Sequence, residues 1–143
     1  MLPPFRIVAA AAVILATGLF TTIAHAQSDQ WQVLRDDPEI HSGLVVIAVG
    51  RHIQNVCDDI SPRLIQAFGF AQSLVGRASD LGVSRREVDA YLDDRTEQQR
   101  YREIMRQWFA QNGADASDAE SVCRVGRDEI TAGSQIGRLL RRS

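Results

Sequence analysis

The hydrophobic positions of this chain recur at steps of three and four residues, the spacing of one face of an α-helix. The first stripe follows Asp37-Pro38, an N-cap residue and a proline at the first helical position. It consists of Val46, Val49, Ile53, Val56 and Ile60. The run Leu44 to Val49 is rich in β-branched residues and is also compatible with a buried strand. Because the stripe continues past Gly50, the pattern favours a helix, preceded by an entry segment with at most a short helical turn.

Ser61-Pro62 has the same N-cap and first-turn pattern and predicts the start of a second helix, which Gly82 would end. The apolar face of that helix contains Leu64, Phe68, Ala71, Val75 and Ala78. Small residues beside this face would allow another helix to approach closely: Gly69, Ser73 and Gly76.

Two further helices are predicted between residues 84 and 113. Ser84 and Glu87 form a capping box before a short helix, and Thr96 with Gln99 starts the next one after an acidic break. Its apolar face, which Asn112-Gly113 ends, comprises Tyr101, Ile104, Met105, Trp108 and Phe109. Aromatic residues at this spacing indicate core rather than a cofactor site.

The last stripe follows a second capping box, Ser117 with Glu120, and has an unusually small face. Its members are Ala119, Cys123, Gly126, Ile130, Gly133, Gly137 and Leu140. Glycine inside a helix costs about 1 kcal/mol relative to alanine, so we expect these glycines to allow close packing against another element. Gly133-Ser134 is also a stop followed by an N-cap, and the pattern favours a break there with a short final helix.

The N-terminus is typical of a signal peptide. Arg6 precedes an apolar run from Ile7 to Ile23, and Ala24-His25-Ala26 fits the cleavage rule. We expect cleavage after Ala26, which leaves residues 27–143 as one helical domain in the periplasm. The alternative is an uncleaved membrane anchor, since the run approaches spanning length.

Export determines how the two cysteines, Cys57 and Cys123, are interpreted. In an oxidising compartment two cysteines most simply form one disulfide, which would stabilise the fold by roughly 4 kcal/mol. A thiol nucleophile or a metal ligand is the rival interpretation, but the sequence has no Cys-x-x-Cys pair. The prediction is an all-α protein of four to six helices in an irregular bundle, with its first and penultimate helices linked by this disulfide.

Composition narrows the possible chemistry. The chain contains no lysine, which excludes Schiff-base chemistry and a phosphate-binding loop lysine. Its net charge of −2 argues against nucleic-acid binding.

His41 and His52 lie about three helical turns apart, roughly 16 Å, too far to bind one metal ion. Asp58-Asp59 and Asp93-Asp94 are candidates for a hydrolase carboxylate pair, although acidic doublets at helix ends are usually solvated. No catalytic, cofactor or metal residue is predicted.

Arginines are the remaining candidates for recognition. Arg124 and Arg127 flank the small-residue face and could pair with an acid from a neighbouring helix or bind an anion. The alternative is an outer face with i,i+4 pairs such as Arg124 with Asp128. Arg138, Arg141 and Arg142 near the chain end could complement a helix C-terminus, or contact anionic lipid or a membrane-bound partner.

The whole chain after the predicted signal peptide resembles an uncharacterised family of small exported proteins of alphaproteobacteria, a domain-of-unknown-function family. The likeness lies in Gly82-Val83-Ser84-Arg85-Arg86-Glu87-Val88, Glu120-Ser121-Val122-Cys123-Arg124-Val125-Gly126, Glu129-Ile130 and Gly133-Ser134-Gln135-Ile136-Gly137-Arg138-Leu139-Leu140. The resemblance implies export and a helical domain but no activity.

The function that follows from these observations is a non-enzymatic binding or accessory protein, such as a small subunit of a larger envelope complex. It would use a protein partner and no cofactor. A small periplasmic stress chaperone of the acid type is the alternative, because the chain is small, carries one disulfide and is rich in carboxylates. A hydrolase that uses His52 and Asp58 is the least favoured alternative.

Overall fold

A computed structural model describes residues 31–143, and helices make up 75% of this part of the chain. The all-α prediction is therefore confirmed, although the described residues form seven helices rather than the predicted four to six. The predicted signal peptide, residues 1–26, lies outside the described residues. Among residues 31–143, none of the helices combines the length and the hydrophobicity that crossing a bilayer requires.

The described residues form seven helices and one two-stranded ribbon. The helices are α1 (Gln32–Asp36), α2 (Pro38–Val56), α3 (Leu64–Asp80), α4 (Arg85–Asp93), α5 (Arg95–Gln111), α6 (Ala119–Ala132) and α7 (Gln135–Arg138). The strands are β1 (Ile60–Pro62) and β2 (Leu140–Arg142). Helix α2 contacts α1, α3, α5, α6 and α7, so the bundle is arranged around it.

Two of the predicted helix starts are confirmed by their capping contacts. The Asp37 carboxylate accepts hydrogen bonds from the Glu39 and Ile40 amides at the start of α2. Ser84 and Glu87 form the reciprocal capping box of α4. Because α2 runs without interruption from Pro38 to Val56, the alternative strand at Leu44 to Val49 does not form.

Glycines have two separate roles in the last third of the chain. Gly133 has a φ of 61° and ends α6, and the Ser134 hydroxyl caps α7, so the predicted break is confirmed. Gly126 and Gly137 serve close packing instead. A Cβ at Gly126 would lie 2.6 Å from the Ile53 side chain, and one at Gly137 would lie 1.9 Å from the Glu129 carbonyl oxygen.

Ser61-Pro62 does not start a helix. It belongs to β1, which pairs antiparallel with β2 so that Ser61 lies opposite Arg141. Helix α3 begins after Arg63, which provides no side-chain cap. Ser61 and Pro62 are residue types that favour a helix start. In the structure, however, the backbone of this segment is hydrogen-bonded to β2, which lies far along the chain.

Two other helix starts differ from the prediction by one or two residues. Asp94, rather than Thr96, caps α5 by accepting from the Thr96 and Glu97 amides. Asp118, rather than Ser117, caps α6 by accepting from the Ser121 amide. Aspartate and serine are both good N-caps, so neighbouring candidates compete and backbone geometry selects one.

The buried side chains form two clusters. The disulfide core contains Val49, Ile53, Cys57, Ile60, Met105, Phe109, Val122, Val125, Ile136 and Leu140. The tyrosine core contains Leu34, Ile40, Ala78, Val88 and Tyr91. Helix α2 contributes residues to both, so the two cores lie toward opposite ends of it.

Candidate binding surfaces

The predicted disulfide is present. Cys57 at the end of α2 and Cys123 in α6 are joined by an S–S bond of 2.06 Å, with their Cα atoms 5.5 Å apart. Helix α6 is the penultimate helix, as predicted, whereas α2 is the second helix rather than the first, because the short α1 precedes it. The bond lies within the disulfide core, so it links two elements that also pack together.

The predicted recognition arginines contact their own surroundings. Arg124 donates to the Gly113 carbonyl at 2.8 Å and lies 3.7 Å from Asp128, the i,i+4 partner that the alternative named. Arg127 pairs with Asp59 at 3.2 Å, an acid from outside its own helix. Arg138 donates to Gln135, one helical turn before it. All three side chains are at least partly exposed, and their role in recognition stays a prediction.

The histidines and acidic doublets have separate local roles. The His52 Nε2 atom lies 2.8 Å from the Ala116 carbonyl oxygen, and His41 packs beside Tyr101. In the doublets, Asp59 pairs with Arg127, and Asp94 caps α5. Within the described part of the chain, no three His, Cys, Asp or Glu side chains are grouped so that they could hold a metal ion.

A groove of about 790 Å³ lies among α2, α3, α4 and α5. Most of its lining is apolar and includes Leu44, Ile47, Leu74, Val75 and Met105. Residues of the tyrosine core also line it, so the groove reaches into the half of the bundle that contains α1 and α4. This volume is in the range of small-molecule sites, about 300–1,000 Å³.

Two buried carboxylates hold the helices around this groove. Glu97 is 3% exposed and accepts from Arg35 of α1 at 2.6 and 2.9 Å. Asp37 is 7% exposed and accepts from Arg77 of α3 at 2.6 Å. The Arg77 hydrogen bond, together with the Ile40 amide, holds the pKa of Asp37 below its ordinary value. These pairs link α1 to α5 and α2 to α3.

Tyr91 and Tyr101 line the groove, and their buried hydroxyls reach hydrogen-bond geometry with no atom of the described residues. Tyr91 is only 2% exposed. Burial raises the pKa of its phenol, and the neighbouring Tyr101 and Glu97 raise it further. The three polar groups therefore lie together in a groove whose wall is mostly apolar. The spacing of apolar residues predicted that Tyr101 lies in the core. No pattern in the sequence indicates that it lies beside Tyr91 and Glu97.

The first two turns of α3 form an exposed apolar surface, the α3 patch, which comprises Leu64, Ile65 and Phe68. These side chains are 73%, 86% and 67% exposed. Of the apolar face predicted for this helix, Ala78 is buried and Ala71 and Val75 are partly buried, while Leu74, which the prediction left out, is also buried. The stripe of Gly69, Ser73 and Gly76 is open, because no atom lies within 4 Å of a Cβ built at Gly69 or Gly76.

Cationic side chains border the α3 patch. Arg63 directly precedes Leu64 and its amide donates to the Leu139 carbonyl at 2.8 Å, which ties this end of α3 to the last segment of the chain. Arg141 and Arg142 follow in β2, paired with Ser61 and Ile60. All three arginine side chains are exposed.

The fold and these surfaces define a small, all-helical, disulfide-linked protein with a groove of ligand size. The chain belongs to a family described as a family of unknown function (DUF5333), which matches residues 32–141. This match confirms the resemblance to an uncharacterised family, whereas the alphaproteobacterial and exported parts stay predictions. Comparisons with curated proteins and with solved structures find no match.

Proposed function

We propose that the chain is a non-enzymatic, periplasmic accessory protein that docks on a larger envelope complex. The main support for this proposal is the α3 patch, where three large apolar side chains on adjacent turns are 67–86% exposed. Grouped apolar side chains of this kind mark interaction sites more often than bare surface. Each one that becomes buried on docking would contribute about 2 kcal/mol. The disulfide supports export, because such bonds persist in oxidising compartments.

The arginines beside the patch indicate the chemistry of the partner. With Arg63, Arg141 and Arg142 exposed at its border, the complementary surface would be apolar at its centre and acidic at its edge. The glycine-lined face predicted to pack closely against another element is already covered within the protein. Gly126 packs against Ile53 and Ile60, and Gly137 packs against the backbone of α6.

Site-specific crosslinking from native membranes tests this proposal. A photoreactive residue at Ile65 should capture one envelope protein, and the double variant Ile65→Ser/Phe68→Ser should lose it from the co-purified complex. Val33→Ser is the matched control, because Val33 is 40% exposed in α1 and outside the patch. A wild-type protein that elutes alone and monomeric after mild detergent extraction would contradict the proposal.

The buried carboxylates favour a second candidate, a chaperone activated by acid. Protonation of Asp37 would break the link from α2 to α3 and expose the tyrosine core to clients. Such a protein should suppress aggregation of an unfolded client between about pH 2 and pH 4. The absence of suppression in that range would reject this candidate and leave the docking proposal untouched.

A further inference from the structure

The groove among α2, α3, α4 and α5 has the space and the lining of a binding site. Its volume is about 790 Å³, and apolar side chains from four helices form most of its wall. Ligand sites of this size typically combine such a wall with a few convergent polar groups. The α3 patch is a separate surface, because its three residues do not line the groove.

Among the polar groups that line the groove, the Tyr91 and Tyr101 hydroxyls lie beside the buried Glu97 carboxylate. Tyr91 is 2% exposed, and the two phenols lie close to each other and to Glu97, but no hydrogen bond of good geometry among the described residues satisfies either hydroxyl. Burying a hydroxyl without a hydrogen-bond partner is unfavourable. A ligand with an oxygen that hydrogen-bonds to this hydroxyl should therefore bind more tightly than one without it. The Glu97 carboxylate is already occupied by Arg35, which leaves the phenols to make this contact.

The charged groups that line the groove have a cationic excess. Arg85 pairs with Asp89 at 3.2 Å and Glu97 pairs with Arg35, so these charges are balanced. Arg51 of α2 and Arg102 of α5 are exposed, line the groove, and take part in none of the ion pairs found within residues 31–143. A guanidinium group at the edge of an apolar site selects a carboxylate in preference to a cation.

Position along α2 separates the phenols from one of these arginines. Tyr101 packs against His41, with ring centroids 5.9 Å apart, whereas Arg51 follows His41 by ten residues. Ten residues of helix span about 15 Å. The site therefore offers hydrogen-bonding groups at one end, a cation toward the other, and an apolar wall between them.

We propose that this groove binds a free amphiphilic carboxylate of the fatty-acid type. The apolar chain lies along α2, the carboxylate pairs with Arg51 at the edge, and an oxygen-bearing group at the far end of the chain meets Tyr91 and Tyr101. This inference does not depend on the docking proposal, since it uses different residues.

Calorimetric titration of the full protein with ligands that share one chain length tests the class. Dodecanoate should bind, its terminally hydroxylated analogue should bind more tightly, and dodecyltrimethylammonium should bind at least about tenfold more weakly than dodecanoate. Equal affinity for the anion and the cation, or binding of neither, would overturn the proposal. Binding only to anionic lipid vesicles, with none to monomeric dodecanoate, would overturn it in favour of a membrane surface.

Variants of the protein test which residues contact each end of the ligand. Arg51→Gln should weaken dodecanoate binding about fivefold or more, whereas Arg86→Gln, which is exposed and outside the groove, should leave it unchanged. Tyr91→Phe/Tyr101→Phe should remove the advantage of the hydroxylated analogue and raise the Tm of the free protein, because unpartnered hydroxyls are removed. An unchanged preference for that analogue would overturn the assignment of the tyrosines.

Ala71→Phe, which fills the groove from α3, should abolish all binding, and undiminished affinity in a folded Ala71→Phe protein would place the ligand elsewhere.

Discussion

The two cores of this protein are stabilised in different ways. The disulfide core combines a covalent bond, fully buried aliphatic and aromatic side chains, and glycines that allow helices to approach closely. The tyrosine core is smaller and is surrounded by buried ion pairs, unpartnered hydroxyls and the groove. Close packing and the disulfide therefore stabilise the half of the bundle around the disulfide core. Ion pairs stabilise the half around the tyrosine core, which also contains the groove. A binding function is therefore expected beside the tyrosine core.

Removal of the disulfide should give the largest loss of stability. Cys57 and Cys123 are 66 residues apart, and a loop of this length contributes about 4 kcal/mol in the chain-entropy model. Cys57→Ala/Cys123→Ala should therefore lower the free energy of unfolding measured with urea by about that amount. Wild-type protein treated with a reductant provides the control and should shift similarly. Equal stability of the oxidised and alanine forms would show that packing alone holds this core.

Loss of a buried charge partner should come next, in the tyrosine core. Arg35→Met leaves the Glu97 carboxylate, 3% exposed, without its closest partner, and we expect a loss of about 3 kcal/mol. Arg106→Met is the matched control, because its ion pair with Glu103 is on the surface and should contribute less than about 0.5 kcal/mol. Urea unfolding of both variants measures the difference. Similar small losses in both would mean that charge does not hold the tyrosine core.

A smaller effect, confined to acid, is expected at Asp37. Its carboxylate has a pKa lowered below 3.8 in the folded protein, chiefly by the hydrogen bond from Arg77. A lowered pKa means that this stabilisation is present above the unfolded value and is lost as the pH falls through the folded value. The Tm of wild type should therefore drop more steeply than that of Asp37→Asn below about pH 4. Parallel Tm profiles of the two proteins would contradict this assignment.

The smallest effect on stability is expected in the α3 patch. Phe68 is 67% exposed, so Phe68→Ser should change the free energy of unfolding by less than about 0.5 kcal/mol. Leu74→Ala, in the buried half of the same helix, should cost about 2 kcal/mol or more. Thermal unfolding of the two variants compares the halves directly. A large loss from Phe68→Ser would show that this end of α3 is covered in the free protein.

The features predicted correctly from the sequence are those that neighbouring residues determine. Asp37-Pro38, the Ser84–Glu87 box and the Gly133-Ser134 stop each act within one helical turn, and each has the expected structure. The disulfide was predictable because only two cysteines exist to form it.

The features that were missed depend on residues far apart in the chain. Ser61-Pro62 has a helix-start pattern, but residues 140–142 pair with this segment and make it a strand. The apolar stripe of α3 predicts a buried face, yet the sequence does not show which half another helix covers. The groove brings together Tyr91, Glu97 and Tyr101 with residues of α2 and α3, and no local pattern indicates that Glu97 is buried.

The ribbon has a consequence for the order in which the chain folds. Its strands pair residues such as Ser61 and Arg141, so it closes a very long loop for a few backbone hydrogen bonds. The nearby bond between Cys57 and Cys123 shortens the search, because it brings the start of β1 close to α6 and the segment that leads to β2. Pairing of the strands is therefore a late event in folding, and an oxidising enzyme that joins the cysteines would also accelerate it.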